Sequence, residues 1–239
     1  MNKIKLEDYE IINGQPDFNE ILNTRGVTVS CINTHAYAEA SKSNIFKRAL
    51  VGSEFLLCDG IGISFFSWFK GGNWIRRYDG PTFHLDLLKH LSKSNKKLSL
   101  CYFGSTEEVL SKIRERHIDT SSGHYITTFS PPFKKEFSQN DLINFAEFLN
   151  EIQADFVFFG LTAPKQEVLS YQLREQVQNS IFVNIGAEFD FYAGTIKRHP
   201  DWISKFGFLW LYRLTKQPRK IYKRVFISGF RLAVHLFRS

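Results

Sequence analysis

The chain has 239 residues, of which 43% are hydrophobic and 23% charged, and its formal net charge is +7. This length allows one domain with a substantial core, and the composition excludes a disordered or low-complexity protein. No apolar run of about 18 residues and no apolar N-terminal segment occurs, so we expect neither a transmembrane helix nor a secretory leader. The three scattered cysteines predict reduced core thiols of a cytoplasmic protein.

The positive charge is concentrated towards the C-terminus. No acidic residue follows Asp201, whereas nine lysines and arginines do, so the other residues carry a net charge of −2. From Gln217 onward, basic and aliphatic side chains fall on opposite faces of a helix, and Phe226, Phe230 and Phe237 add apolar surface. This pattern predicts a cationic amphipathic helix on an anionic membrane surface, and a helix docked on the core with a solvated basic face is the alternative.

Six short apolar runs alternate with longer segments of helical period. The runs are residues 27–33, 54–59, 98–104, 125–130, 155–161 and 181–187. One helix is predicted for residues 34–50, and further helices follow the second to the fifth run. This alternation is typical of βαβ units, so we predict an α/β fold with a doubly wound, mostly parallel, Rossmann-like sheet covered by helices on both faces. Residues 1–200 form this domain, and residues 201–239 form a basic, helical appendage.

Polar residues and glycines follow several predicted strands, where ligands of doubly wound folds bind. These segments are Asn33–Thr34, Asp59–Gly60, Gly104, "GLTAPKQE" (160–167) and "IGAEFD" (185–190). A GxGxxG fingerprint, a Walker A sequence, a zinc-type ligand spacing and an Asp-x-Asp pair are all missing from the sequence. If a nucleotide diphosphate binds, we therefore expect arginines and helix N-termini, and no metal or other cofactor, to offset its charge.

A series of motifs brings a family resemblance. They are, in order, "NTHA", "CDGIGI", "RRYDGPTF", "FSPPF", "GLTAPKQE", "NIGAEFDFYAGTIKRHPDW" and "GFLWLYRLTKQPRK". Together they resemble the WecG/TagA/CpsF glycosyltransferases (glycosyltransferase family 26) over about residues 25–224. The resemblance implies inverting, metal-independent transfer of a sugar, of N-acetylmannosamine type or another hexose, from a UDP-sugar to a polyprenyl-diphosphate-linked saccharide. It also implies a peripheral enzyme at the inner face of the cell membrane that contributes to exopolysaccharide, capsule or cell-wall synthesis.

The resemblance also implies roles for individual residues. Asp59 is the expected catalytic base, which takes the proton of the attacking acceptor hydroxyl, and a plain strand-closing turn is the alternative. Thr34 is a second expected catalytic residue, with a helix N-cap as its alternative. The expected substrate-binding residues are Asn33, Arg77, Gly104, Lys165, Gln166, Glu188, Asp190, Arg213, Arg219 and Arg224. Arg76 competes with Arg77 for its role, and a structural role competes for Asp190.

The three appendage arginines, Arg213, Arg219 and Arg224, are expected to stabilise the leaving diphosphate in place of a metal, or else to contact lipid headgroups. Leu209 stands where relatives commonly carry a glutamate, and Arg198-His199-Pro200 replaces "RAP", which leaves the donor sugar open. The acceptor glycan and the choice between monomer and homo-oligomer are open too.

Two other classes of function compete with the enzyme. One is a non-catalytic module that binds a membrane surface or nucleic acid, although the apolar face of the tail fits lipid better and we expect no nucleic-acid partner. The other is a dinucleotide-dependent oxidoreductase, which the missing glycine fingerprint disfavours.

Overall fold

A computed structural model describes residues 1–94, 96–119 and 123–197. The predicted appendage, residues 201–239, lies outside the described residues. So do Arg213, Arg219, Arg224, Leu209 and the segment 198–200.

The described residues form eight strands and nine helices. The strands are β1 (Lys3–Leu6), β2 (Tyr9–Ile12), β3 (Val27–Ile32), β4 (Phe55–Cys58), β5 (Ser99–Phe103), β6 (Tyr125–Phe129), β7 (Phe156–Phe159) and β8 (Ile181–Asn184). The helices are α1 (Phe18–Leu22), α2 (Thr34–Ala40), α3 (Asn44–Val51), α4 (Ile61–Gly71), α5 (Gly80–Leu91), α6 (Glu107–Asp119), α7 (Gln139–Glu151), α8 (Lys165–Leu173) and α9 (Glu188–Tyr192).

All eight strands join one sheet in the order β1-β2-β4-β3-β8-β7-β5-β6. Every neighbouring pair is parallel except β1 and β2, which are antiparallel. Strands β4, β7 and β8 are buried at every position because helices cover both faces of the sheet. The predicted doubly wound, mostly parallel α/β fold is confirmed.

The core consists of two layers, one on each face of the sheet. Helices α1, α5, α6 and α9 supply the layer on one face, around Phe83, Tyr102 and Phe158. Helices α2, α3, α4, α7 and α8 supply the layer on the other face. Cys31, Cys58 and Cys101 are free thiols, as predicted.

Two local predictions differ from the structure. The sequence analysis missed the edge hairpin β1–β2, whose two-residue turn places Glu7 at a φ of 52° without the Asn-Gly or Asp-Gly pair that signals such turns. The single helix predicted for 34–50 is two helices, because α2 ends at Ala40, with Ser41 as its C-cap, and the Ser43 hydroxyl accepts from the Phe46 N–H at 3.4 Å to begin α3.

Candidate functional site

The neighbouring strands β3 and β4 place Asn33 and Asp59 side by side as the chain leaves the sheet. The Asp59 N–H donates to the Ile32 carbonyl at 2.9 Å, which continues the strand pairing by one residue. The Asn33 Oδ1 accepts from the Ala36 N–H at 2.9 Å and so caps α2. The capping bond turns Nδ2 of the same amide towards Asp59, and Nδ2 donates to Asp59 Oδ2 at 3.3 Å. The Asp59 carboxylate is therefore partly exposed at the sheet edge and held by a neutral donor.

Two glycines allow α4 to begin immediately after Asp59. Gly60 has a φ of 108°, a backbone angle that residues other than glycine rarely adopt. Gly62 lies so close to Thr34 that a Cβ at this position would overlap the Thr34 Cγ2. Thr34 is thus the first residue of α2 and packs on Gly62, and the helix cap that was its alternative role belongs to Asn33.

The segment 77–80 crosses the ends of the same strands. The Tyr78 N–H donates to the Cys58 carbonyl at 2.9 Å, and Arg77 Nη2 donates to Asp79 Oδ2 at 2.9 Å. Burial raises the pKa of Asp79, but the hydrogen bonds from Thr82 and the Arg77 guanidinium outweigh burial, and the net pKa lies below its usual range. The segment therefore presents a fixed, partly exposed guanidinium beside β4.

Arg76 points elsewhere. Its N–H donates to Asn13 Oδ1 at 2.8 Å, and its carbonyl accepts from the Gly14 N–H at 3.1 Å, so it lies beyond the end of β2. Arg77, in contrast, lies close enough to Cys58 for its charge to lower the pKa of that thiol against the larger effect of burial. Of the two adjacent arginines, Arg77 is the one at the end of β4, next to Tyr78, whose N–H donates to the Cys58 carbonyl.

Cys31, near the carboxyl end of β3, is affected by the charges of several carboxylates. Burial raises the pKa of its thiol, and the charges of Asp59, Asp79 and Glu167 raise it further. A Cβ on Gly80 would lie 3.4 Å from the Cys31 Sγ, so α5 also begins against this strand end. Carboxylates from three different segments thus lie close enough to the end of β3 for their charges to act on the Cys31 thiol.

The first turn of α8 brings a buried polar pair to the neighbouring strand end. Gln166 Nε2 donates to Glu167 Oε1 at 2.9 Å, while Gln166 Oε1 and Glu167 Oε2 are buried with no hydrogen-bond partner among the described residues. Burial raises the pKa of Glu167 to about 7. A Cβ on Gly186 would lie 3.5 Å from Gln166 Oε1, which places the amide against the loop after β8. Glu167 was not among the predicted site residues, because nothing in "PKQE" indicates that both polar side chains are buried.

Two predicted site residues lie farther from Asp59. Lys165 donates to the Lys134 carbonyl and its Nζ lies 4.2 Å from the centre of the Phe137 ring, so it faces the segment after β6. Gly104 directly follows β5, which lies four strand positions from β4, or about 19 Å at the usual strand spacing. Its φ of 123° and its approach to Gly160 are what require a glycine there. Substrate binding by these two residues stays a prediction.

Glu188 opens α9 and begins a buried polar chain. Its Oε1 lies 3.5 Å from His84 Nδ1, His84 Nε2 lies 2.8 Å from the Tyr102 hydroxyl, and that hydroxyl lies 2.8 Å from His117 Nε2. Glu188 Oε2 is buried and has no hydrogen-bond partner in the described part of the chain. The contact with His84 holds the Glu188 carboxylate in place through Oε1. Glu188 Oε2 is left without a hydrogen-bond donor among the described residues.

Asp190 has a local partner. Its Oδ1 accepts from the Thr195 hydroxyl at 3.2 Å, and its carbonyl accepts from the same hydroxyl and from the Ile196 N–H. These contacts close the turn after α9, which fits the structural alternative for this residue.

Two negative findings concern residues 1–94, 96–119 and 123–197. No helix within them has the length and apolar character needed to cross a bilayer. They also bring together no group of three histidine, cysteine, aspartate or glutamate side chains suited to hold a metal ion.

Comparisons with known proteins agree with the motifs. The family model described as "Glycosyl transferase WecG/TagA/CpsF family" matches residues 16–239. The chain is similar to an N-acetylglucosaminyldiphosphoundecaprenol N-acetyl-beta-D-mannosaminyltransferase of Bacillus spizizenii, with 25% identity over 210 residues, 88% of this chain and 79% of the relative. It is also similar to the protein of that name from Bacillus subtilis, with 24% identity over 209 residues, 87% of this chain and 79% of the relative.

Proposed function

Because the chain belongs to the WecG/TagA/CpsF family of glycosyltransferases, we propose that it transfers an N-acetylmannosamine-type sugar from a UDP-sugar to a polyprenyl-diphosphate-linked saccharide. The names of both relatives state an N-acetylmannosaminyl group and an N-acetylglucosaminyl-diphosphoundecaprenol acceptor. The observation that carries the proposal for this chain is the partly exposed Asp59 carboxylate, held by Asn33 at the carboxyl edge of the sheet.

Asp59 acts as the general base in a single displacement. The acceptor hydroxyl oxygen attacks the anomeric carbon of the donor, its proton passes to Asp59, and the bond from that carbon to the UDP oxygen breaks on the opposite face. The UDP leaves with the bonding electron pair, and the configuration at the anomeric carbon inverts. A well-placed base contributes about 10²- to 10⁴-fold in rate, and the Asn33 amide orients the Asp59 carboxylate for this task.

Arg77 offsets the charge of a diphosphate. Its guanidinium is already fixed by Asp79, so it loses little freedom when it binds a phosphate group. No side chain caps α4, so the first N–H groups of that helix add positive potential on the same side. Arg213, Arg219 and Arg224 are predicted to bind the same diphosphate. Together with Arg77 and the N-terminus of α4, they make the transfer independent of a metal ion.

The buried acceptor oxygens are suited to the donor sugar. Gln166 Oε1 and Glu188 Oε2 each need a hydrogen-bond donor, which the hydroxyl groups and amide N–H of an N-acetyl sugar supply. Glu167 Oε2, which carries a proton below a pKa of about 7, can itself donate to a sugar oxygen. A protein group left unpaired discriminates strongly against a substrate that lacks the matching donor. We therefore assign recognition of the donor sugar to Gln166, Glu167 and Glu188.

The membrane anchor of the acceptor sets the location. A polyprenyl-diphosphate saccharide stays at the bilayer surface, so the enzyme works as a peripheral protein at the inner face of the membrane. The basic segment 201–239 supplies electrostatic attraction to anionic lipid.

The test is sugar transfer from a panel of UDP-sugars to synthetic polyprenyl-diphosphate N-acetylglucosamine in the presence of EDTA. We expect transfer by the wild type and a loss of about 10²- to 10⁴-fold in Asp59→Asn. Asp119→Asn is the matched control, because this exposed carboxylate ends α6 at the opposite edge of the sheet. Equal transfer by wild type and Asp59→Asn would reject the base, and no transfer with any donor would reject the reaction.

A further inference from the structure

Helix α4, which begins two residues after Asp59, has an unusual distribution of side chains. It buries Ser64 and Ser67 along with Ile63 and Phe66. It leaves large apolar side chains in solvent, with exposed fractions of 38% to 60%. These are Ile61, Phe65, Trp68 and Phe69. A helix that only covered a core would place its serines outside and its aromatic rings inside.

The exposed side chains form one continuous surface. At 100° per residue they fall within an arc of about 100° on α4. Trp74, 45% exposed, extends this surface, because its ring packs edge-on against Phe65 with the ring centres 5.1 Å apart. We call Ile61, Phe65, Trp68, Phe69 and Trp74 the α4 aromatic face. The other large exposed apolar side chains of the described residues come from separate elements.

We propose that the α4 aromatic face docks into the interfacial layer of an anionic lipid bilayer. Tryptophan and phenylalanine beside cationic side chains are the composition of helices that lie in this layer. The sequence from Gly60 to Tyr78 contains Lys70, Arg76 and Arg77 and no carboxylate. Lys70 pairs with Glu7 and Arg77 with Asp79, so the exposed Arg76 is the cation of this segment whose charge complements anionic headgroups.

The face is too small for a stable dimer by itself. Five half-exposed side chains of this size offer about 500 Å², whereas a standard interface buries about 800 Å² per partner. A bilayer surface needs no matching pocket and accepts such a face directly.

Docking of this face would also position the catalytic edge. Because α4 starts immediately after Asp59 and Gly60, a helix lying in the interface holds Asp59 at the depth of the headgroups. This step rests on the proposed function, since a lipid-linked diphosphate is presented at that depth.

The test uses the full chain with Trp202 and Trp210 changed to phenylalanine, which leaves Trp68 and Trp74 as the fluorescent residues. Vesicles of equal parts phosphatidylglycerol and phosphatidylcholine, with brominated acyl chains, are added. We expect a blue shift and quenching of the tryptophan emission. We also expect at least a roughly tenfold lower vesicle partition coefficient in Phe65→Ser/Phe69→Ser, because that change removes much of the buried apolar area. Phe133→Ser is the control, because Phe133 is even more exposed than Phe65 and Phe69 and lies on a different segment, between β6 and α7.

Three outcomes would overturn the proposal. Vesicle binding without quenching would assign binding to residues 198–239. A concentration-dependent dimer that Phe65→Ser/Phe69→Ser abolishes would assign the face to a second copy. An equal loss in Phe133→Ser would show nonspecific adsorption.

The two proposals can fail separately. Transfer to an acceptor with a short, water-soluble prenyl chain tests the chemistry without a membrane, whereas quenching needs no substrate. If both hold, Phe65→Ser/Phe69→Ser loses more transfer with a vesicle-embedded acceptor than with the short one.

Discussion

The close contact between Gly62 and Thr34 gives a quantitative prediction. Alanine at position 62 places a methyl group against the Thr34 Cγ2, and β-branched threonine has little freedom to move it away. Overpacking of this kind costs about 1–3 kcal/mol, while Gly-to-Ala replacement within a helix returns roughly 0.5–1 kcal/mol. We therefore expect Gly62→Ala to lower the free energy of unfolding by about 0–2.5 kcal/mol.

The control lies in the same helix. A Cβ on Gly71 would meet only the Asn73 Nδ2, at 3.8 Å, which is an ordinary contact. Gly71→Ala should therefore show the helix-propensity gain alone, so the two alanine variants should differ by about 1–3 kcal/mol in urea unfolding.

A double-mutant cycle identifies the atom responsible. Thr34→Ser removes Cγ2 and keeps the hydroxyl, so combining it with Gly62→Ala should restore most of the lost stability. The contact argument is refuted if Gly62→Ala and Gly71→Ala are equally stable, or if Thr34→Ser and Gly62→Ala combine additively.

Three further changes test other parts of the site. Asn33→Ser keeps a capping side chain for α2 but removes the amide that donates to Asp59, so kcat should fall about tenfold, or about 1.4 kcal/mol, with little change in the urea midpoint; an unchanged kcat would show that Asp59 needs no orienting donor. The pKa of Glu167 is raised by burial to about 7, so between pH 4.5 and 7 the folded protein holds a proton that the unfolded chain has lost, and stability falls as pH rises through this window. Between pH 5 and 8 the free energy of unfolding of Glu167→Gln should therefore rise by about 2–3 kcal/mol relative to that of the wild type. If the two proteins show the same dependence of unfolding free energy on pH, Glu167 does not titrate in this window. Tyr102→Phe removes the hydroxyl that two buried imidazoles contact and should cost about 1–3 kcal/mol in urea unfolding, whereas an unchanged midpoint would mean that this chain of contacts adds no stability.

The sheet could be predicted because its central strands are read directly from apolar runs. Strands buried on both faces, such as β7 with Phe156–Phe159, have no polar position to obscure the pattern. The edge hairpin has alternating charged and apolar residues over four-residue strands, and so short a pattern is not distinguishable from a loop.

The sequence pattern alone pointed to site residues where they directly follow strands, whereas Arg77 and Gln166 were named through the family resemblance. Asn33 and Asp59 were found in this way, and strand pairing brings them together. The buried chain from Glu188 through His84 and Tyr102 could not be found, because its members lie on α9, α5 and β5 and meet only through tertiary packing. The choice between Arg76 and Arg77 likewise depended on which one lies beside Cys58.

The position of β8 has a consequence for how the polypeptide matures on the ribosome. β8 is the last strand of the described chain, yet it lies between β3 and β7 in the middle of the sheet. Until β8 has emerged from the exit tunnel, the inner edges of β3 and β7 have no neighbour, and such open edges invite aggregation. Val27 then pairs with Ile181, which is far from it in the sequence, and contacts of such large sequence separation slow folding. Asn33 and Asp59 belong to the half made first, and Gln166 and Glu188 to the half made last. A nascent chain thus brings Asn33 and Asp59 together with Gln166 and Glu188 in the same event that closes its sheet.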